Sequence, residues 1–227
     1  MDKAYLIAGI DTGVGKTVAT GLIARSLAAR GVDAITVKMV QTGNDGFSED
    51  IEAHRAICGG VRFPEDGEGL TAPQVFKFPA SPRLAASLEG RVVDLGAIAD
   101  AVRECAARRD VVLVEAAGGL HVPLTDDVLT ADFAAAQGWP MVLVTCGRLG
   151  SVNHTLLSLE AARSRGIRVA GVLYNWHPDA DPVIDRDTPG EVARHMRMWG
   201  IDAPVVKIPR VLSGGPWPDI DFSEVFR

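Results

Sequence analysis

The chain has 227 residues, 47% of them apolar, and it carries 23 lysines and arginines against 29 acidic residues, a net charge of −6. This length predicts one domain over residues 1–227, and the acidic balance argues against a nucleic acid or an anionic membrane surface as partner. Three separated cysteines without a CxxC pair, and no apolar run near the roughly 18 residues of a membrane span, favour a cytoplasmic protein.

Apolar runs alternate with helical patterns along the chain. The runs cover residues 5–10, 34–40, 111–114, 141–146, 169–174 and 205–208, and the helical patterns cover 18–30, 95–108, 151–165 and 189–199. Because the runs are continuous, they are typical of strands covered on both faces. The sequence therefore predicts an α/β fold, a parallel sheet flanked by helices on both faces.

Capping signals and loop composition complete this prediction. Thr188, Pro189 and Glu191 form a capping box that predicts the start of the last long helix. Residues 59–80 and 176–187 are rich in Pro with Gly or Asp and predict surface loops, and residues 213–219 predict a loop before a short final helix.

The first apolar run leads into the sequence GIDTGVGKT over residues 9–17. Glycines let backbone N–H groups close around phosphate oxygens, and the following helix adds positive charge at its N-terminus. Lys16 is able to reach the β- and γ-phosphates, and the Thr17 hydroxyl is able to ligate Mg²⁺. Five residues rather than four separate Gly9 from Gly15, so the loop is one residue longer than the common pattern. A glycine turn that binds nothing is disfavoured by the strand before it and the helix after it.

Charged residues stand near the ends of the next predicted strands. A buried lysine is costly unless it is paired, so Lys38 either points at a bound phosphate or reaches solvent from the sheet edge. Glu115 ends an apolar strand, where phosphate-loop proteins place a second Mg²⁺ contact, although an ordinary strand-end acid fits as well. The glycine after it, Gly118, is able to bring its backbone N–H group close to an oxyanion.

Three further candidates lie at predicted element ends. Asp50 or Ser48 caps a helix that begins near residue 50. Asn175 ends the fifth strand, where its amide matches one edge of adenine or simply occupies a turn. Ser151 is predicted as a helix N-cap, either with a carboxylate ligand or without one.

Histidines give no metal signal in this sequence. The five of them, His54, His121, His154, His177 and His195, lack the spacing of a zinc site and are predicted to be structural or surface residues.

Taken in order, the motifs resemble those of the dethiobiotin synthetases, a branch of the P-loop NTPase superfamily. The resemblance rests on GIDTGVGKT, VKMVQTG, FPASPRLAAS, VLVEAAGG and GSVNHTLLSLEA, and it spans almost the whole chain. It implies an ATP- and Mg²⁺-dependent ligase that forms dethiobiotin from 7,8-diaminononanoate and CO₂ in biotin biosynthesis, through a carbamate and a carbamic–phosphoric anhydride. It also implies a homodimer.

The resemblance assigns site residues by motif. Lys16 and Lys38 would act on the carbamate and γ-phosphate as catalytic residues, and Thr17, Asp50 and Glu115 would surround Mg²⁺. The nucleotide would be bound by Thr12, Gly13, Val14, Gly15, Lys16, Thr17, Val18, Asp50, Glu115, Gly118, Asn175 and Pro209. The diamine substrate would be bound by Thr42, Lys38 and, from the neighbouring subunit, Gly150, Ser151 and Asn153.

Four positions depart from the family pattern. Met39 replaces a proline, Gly13 stands where some members carry glutamate, and Arg83 replaces a histidine. Ala116 replaces a glycine, and its Cβ is expected to crowd the phosphate.

Two other classes of protein share parts of this pattern. A partitioning-type ATPase switch normally carries a second lysine early in its phosphate loop, and residues 11–15 contain none. An amidotransferase-type ligase normally requires a longer chain with a glutaminase domain. Both alternatives are therefore disfavoured.

Overall fold

Six parallel strands form the central sheet. The computed structural model describes residues 3–177, 180–211 and 215–226. The strands of this sheet are β1 (Ala4–Gly9), β2 (Ala34–Lys38), β5 (Val111–Glu115), β6 (Met141–Cys146), β7 (Val169–Asn175) and β8 (Val205–Ile208), in the order β2-β5-β1-β6-β7-β8. Two short strands, β3 (Gln41–Thr42) and β4 (Val75–Phe76), pair in parallel beside it. The predicted α/β fold with a parallel sheet is confirmed.

Helices connect the strands and cover the sheet. They are α1 (Lys16–Ala29), α2 (Glu49–Ile57), α3 (Pro64–Gly67), α4 (Pro82–Leu88), α5 (Leu95–Arg108), α6 (Thr130–Gln137), α7 (Ser151–Ser164) and α8 (Pro182–Met198). Every residue of β2, β5 and β6 is buried. Because successive side chains point to opposite faces, the sheet is covered on both faces, as its continuous apolar runs predicted.

Helix α8 begins seven residues earlier than predicted. Its N-cap is Asp181, whose side chain accepts from the N–H of Val183 at 2.8 Å, and Pro182 occupies the first turn. Thr188 lies inside the helix, where its hydroxyl donates to the carbonyl of Ile184 at 2.8 Å. The predicted helix start at Thr188 is therefore wrong. The loop predicted over residues 176–187 is also wrong in its second half, because residues 182–187 belong to α8.

Two other loop predictions also need correction. Residues 59–80 include α3 and β4 rather than a plain surface loop, and within them Thr71, Gln74 and Phe76 are buried. The predicted final helix is a turn over residues 223–226, where Phe226 packs edge-on against Tyr5 of β1 with ring centroids 4.8 Å apart. Part of the predicted tail loop, residues 213 and 214, falls outside the described residues.

Across the described ranges, no helix combines the length and apolar character that crossing a membrane requires.

Candidate active site

Three adjacent strands end at one edge of the sheet and supply the centre of the site. Lys38 is the last residue of β2 and Glu115 the last residue of β5, and the two are partners in the strand register. Strand β1, on the other side of β5, ends at Gly9 and passes directly into the glycine loop. Ligands of parallel sheets bind beyond this carboxyl edge, where these residues meet.

The edge opens into a cavity of about 720 Å³. Most of the residues predicted to bind nucleotide, metal or diamine line it: Thr12, Gly13, Gly15, Lys16, Thr17, Val18, Lys38, Thr42, Asp50, Glu115 and Gly118. One further wall comes from the segment Pro79–Pro82, which leads into α4. The volume lies in the range typical of small-molecule sites.

Lys38 lies between two carboxylates. Its Nζ is 2.6 Å from Asp50 Oδ2 and 2.9 Å from Glu115 Oε1, and its side chain is almost fully buried. Thr17 Oγ1 donates to Asp50 Oδ1 at 2.6 Å and lies 3.3 Å from Glu115 Oε1. Lys38 therefore does not reach solvent from the sheet edge.

The pKa values follow from this pairing. Burial alone would lower the pKa of Lys38, but the charges of Glu115 and Asp50 outweigh it and raise that pKa above its ordinary value. Burial acts in the opposite sense on Glu115, yet Lys38 and the hydrogen bond from His54 hold the pKa of its carboxyl far below the usual range. At neutral pH Lys38 is therefore an ammonium group and Glu115 a carboxylate.

Helix α2 supplies Asp50 through its first turn. Ser48 is the N-cap, and its Oγ accepts from the N–H of Ile51 at 3.2 Å. Asp50 is thus free of the capping role that the sequence left open and turns toward Thr17 and Lys38.

The glycine loop fixes the second lysine. Lys16 begins α1, is buried, and donates from Nζ to the carbonyl of Asp11 at 3.0 Å. Burial lowers the pKa of Lys16, which the Glu115 carboxylate partly offsets. The side chain is thereby held along the loop with its ammonium group at the cavity.

Asn175 reaches the same loop from the end of β7. Its Nδ2 donates to the carbonyl of Val14 at 3.0 Å. Pro209 lies just beyond β8 and lines a separate cavity of about 220 Å³ together with Trp176. Arg210 stacks on the Trp176 ring at 4.5 Å from its centroid. Asn175, which was predicted to contact adenine, therefore lies against the loop, and neither Asn175 nor Pro209 lines the main cavity.

The three residues predicted to serve a neighbouring subunit lie at the start of α7. Gly150, with φ +92°, is the N-cap, so the predicted cap at Ser151 is off by one residue. Ser151 is buried and its Oγ has no hydrogen-bond partner among the described residues, while Asn153 is exposed. None of the three lines the cavity of its own chain.

The departures from the family pattern leave the cavity intact. Ala116 is fully buried in the core, and Ala117 rather than Ala116 lines the cavity, which argues against the expected crowding of the phosphate. Met39 is also a core residue, and Arg83 pairs with exposed Asp126 at 2.6 Å.

Sequence reasoning missed two partners of the site. His54 is fully buried and lies 2.9 Å from Glu115 Oε2. Arg148 forms an ion pair with Asp11 of the glycine loop and so links the loop to the start of α7. The position of His54 four residues after Asp50 on one helix was a usable signal, since i and i+4 residues share a face.

The oxygen donors of this cluster suit Mg²⁺. A hydroxyl and two carboxylates are hard ligands, and a magnesium ion in such sites keeps waters and substrate phosphates as its other ligands. Within the described ranges, no cluster of three or more His, Cys, Asp or Glu side chains forms an all-protein metal cage. The donor set therefore fits a metal bound together with a nucleotide.

Sequence comparisons relate this chain to known proteins. The family model described as an AAA domain matches residues 3–206. The ATP-dependent dethiobiotin synthetase BioD of Chlorobaculum tepidum is 47% identical over 207 residues, which cover 91% of this chain and 87% of that protein. The BioD 2 enzyme of Pasteurella multocida is 43% identical over 88% of this chain and 93% of its own length.

Solved structures share the fold at low identity. A ParA family ATPase from Chlorobium tepidum superposes with a TM-score of 0.53 at 14% identity, covering 94% of this chain and 87% of that one. The chloroplast FtsY of Physcomitrella patens gives 0.50 at 18% identity, covering 90% of this chain and 57% of that one. These likenesses concern the fold alone. The sequence relatives and the phosphate loop lead to one conclusion: the chain belongs to the dethiobiotin synthetase family of P-loop proteins.

Proposed function

We propose that this protein is an ATP-dependent dethiobiotin synthetase that closes the ureido ring of dethiobiotin from 7,8-diaminononanoate, CO₂ and ATP. One observation carries the proposal. The glycine loop, two buried lysines and two carboxylates share a single cavity in a chain that is 47% identical to a named dethiobiotin synthetase over 91% of its length.

The reaction needs one phosphoryl transfer and one ring closure. CO₂ first adds to one amine, which loses a proton and becomes a carbamate. A carbamate oxygen then attacks the γ-phosphorus of ATP, the bond to the β-phosphate oxygen breaks, and ADP leaves. The second amine attacks the carbon of the resulting carbamic–phosphoric anhydride, phosphate leaves, and the amine loses a proton as the cyclic urea forms.

The residues supply charge and position rather than a nucleophile. Lys16 and Lys38 would neutralise the carbamate and the transferring phosphoryl group, where negative charge concentrates. Thr12, Thr42 and the Gly118 N–H group would donate hydrogen bonds to phosphate or substrate oxygens. Asn175 and Pro209 would contact the adenine. Holding both reactants in one cavity lowers the entropic part of the barrier.

Thr17, Asp50 and Glu115 would hold Mg²⁺. When bound, the ion would neutralise charge on the β- and γ-phosphates. The Thr17 hydroxyl oxygen already lies 2.6 Å from Asp50 Oδ1 and 3.3 Å from Glu115 Oε1.

We also infer a homodimer in which Gly150, Ser151 and Asn153 bind the substrate carboxylate of the neighbouring subunit. The positive end of the α7 helix dipole at this start suits an anion. Two apolar side chains flank this helix start, Leu149 at 86% and Leu157 at 54% exposure, and an interface would cover them.

A product assay tests the function directly. Purified protein receives ATP, Mg²⁺, bicarbonate and 7,8-diaminononanoate, and dethiobiotin is detected by mass while phosphate is counted. We expect one phosphate per dethiobiotin and no release without the diamine. ATP hydrolysis that ignores the diamine would instead favour a nucleotide switch.

A further inference from the structure

One buried histidine beside the proposed active site has no role in the proposed function. His54 lies on α2 four residues after Asp50, about one helical turn, so the two side chains share the face that meets the end of β5. Its imidazole is fully buried, and Nε2 lies 2.9 Å from Glu115 Oε2.

Glu115 has a different partner on each oxygen. Oε1 faces the cavity, where it meets Lys38 at 2.9 Å and the Thr17 hydroxyl at 3.3 Å. Oε2 points away from them to His54. Because the carboxylate is completely buried, an unpartnered Oε2 would be costly, and rotation about the last side-chain bond would exchange the two oxygens.

We infer that His54 is a positioning residue that holds Glu115 with Oε1 presented to Thr17 and the metal position. The inference rests on the metal role given to Glu115 in the proposed function. Carboxylates that bind metals are commonly oriented by such outer hydrogen bonds, and their loss typically costs about 10- to 100-fold in metal affinity.

The surroundings of the His54 ring show which of its two nitrogens forms a hydrogen bond. Nδ1 of His54 is buried and has no hydrogen-bond partner among the described residues. Nε2 donates to Oε2 of Glu115, since the oxygens of an ionised carboxylate only accept hydrogen bonds. The neighbouring residue Arg55 turns to the opposite side, where it bonds Thr36 and Asp66.

Three substitutions separate orientation from packing. In His54→Gln an amide nitrogen replaces Nε2 and keeps a donor at about the same reach. In His54→Asn the amide is one carbon shorter, and in His54→Leu the donor is absent. Ile57→Ala is the matched control, because Ile57 is a buried residue of the same helix that packs toward Gly21 of α1 instead of the site.

The primary measurement is Mn²⁺ binding, followed by the electron paramagnetic resonance of the free ion, in the presence of a non-hydrolysable ATP analogue. We expect His54→Asn and His54→Leu to raise the dissociation constant about tenfold or more. His54→Gln should keep the dissociation constant within about threefold of the wild-type value. Ile57→Ala should lower the melting temperature and leave the Mn²⁺ dissociation constant unchanged. The Mg²⁺ concentration for half-maximal turnover should follow the same order.

The outcomes distinguish the inference from the proposed function. Unchanged Mn²⁺ affinity in His54→Asn overturns the inference, and so does a loss in His54→Gln equal to that in His54→Asn. If His54→Leu fails to fold, the Gln and Asn pair decides alone. If the wild-type protein binds Mn²⁺ and nucleotide but makes no dethiobiotin, the function falls while the order of affinities still tests His54.

Discussion

At the scale of single residues, the lysine at the end of β2 is the strongest test of the proposed chemistry. We expect Lys38→Met, which keeps the apolar stem and removes the ammonium group, to lower diamine-dependent phosphate release about a hundred- to a thousandfold, since one donor to developing charge is lost. Lys77→Met is the matched control, because Lys77 is exposed and its Nζ pairs with exposed Asp45 at 3.2 Å. Wild-type turnover in Lys38→Met would remove the catalytic role of this residue.

Two glycines of the phosphate loop allow a second comparison at this scale. Gly13 and Gly15 both have positive φ, +75° and +88°. A Cβ at Gly13 meets nothing within 4 Å, whereas a Cβ at Gly15 would lie 2.0 Å from Asn175 Nδ2. The backbone strain is therefore shared, and only Gly15→Ala also displaces the Asn175 amide.

We expect Gly13→Ala to cost about 1 kcal/mol of stability from its left-handed backbone. Gly15→Ala should cost more and should also weaken ATP binding, because the hydrogen bond from Asn175 to the Val14 carbonyl is broken. Urea unfolding and nucleotide titration measure the two effects. Equal losses in both variants would show that the contact with Asn175 is unimportant.

At the scale of elements, the buried Arg55 side chain joins helix α2 to α3 through an ion pair and to the edge strand β2 through a hydrogen bond. Arg55 Nη2 lies 2.7 Å from Asp66 Oδ1, and its Nη1 donates to Thr36 Oγ1 of β2 at 2.7 Å. The Phe63 ring stacks on the same guanidinium group at 4.7 Å and on Arg109 at 4.9 Å. This packing positions the helix that carries Asp50 and His54.

The pair makes stability depend on pH in a defined direction. Burial would raise the pKa of Asp66, but the hydrogen bonds from Arg55 and the Phe63 N–H lower it below its ordinary value of 3.8. Since the folded pKa is the lower one, the carboxylate stabilises the fold above pH 3.8, and this contribution is lost as the pH falls through the folded pKa.

We expect Asp66→Asn to lower the free energy of unfolding by about 3 kcal/mol at pH 7, because it leaves Arg55 buried without a counter-charge. The difference from wild type should shrink toward pH 3. Asp126→Asn, in the exposed pair with Arg83, should change stability by less than about 0.5 kcal/mol. Denaturant titrations at both pH values provide the measurement, and a loss from Asp66→Asn that is independent of pH would contradict this account.

Elements also show what the sequence was able to predict. All six long strands lie within two residues of the predicted runs, because buried parallel strands are continuous apolar stretches. The prediction of where α8 begins was wrong because Asp181-Pro182 and Thr188-Pro189 are equivalent start signals, and only packing selects between them. The strand register that pairs Lys38 with Glu115 could not be predicted from the sequence either, since it depends on β2 lying beside β5.

The same limit applies to the site. The phosphate loop is a local motif, so its residues were predictable by position alone. The contacts of Glu115 with Lys38 and His54 join residues 77 and 61 positions apart. Such contacts follow from strand order and helix docking, and the sequence specifies them only through the resemblance to a family.

At the scale of the whole molecule, the question is whether each site is built from two chains. If it is, Lys38→Met and Asn153→Asp damage different halves of a site. Asn153→Asp places a carboxylate where the substrate carboxylate would bind, and an acid near a helix N-terminus leaves the fold intact. Each variant alone should be nearly inactive.

A mixing experiment tests this arrangement. After the two variants are unfolded and refolded together in equal amounts, half of the dimers should be mixed, and each mixed dimer should contain one intact site. About a quarter of wild-type dethiobiotin formation should therefore return. Activity that stays at the level of the separate variants, with sedimentation showing mixed dimers, would place the carboxylate contact within one chain.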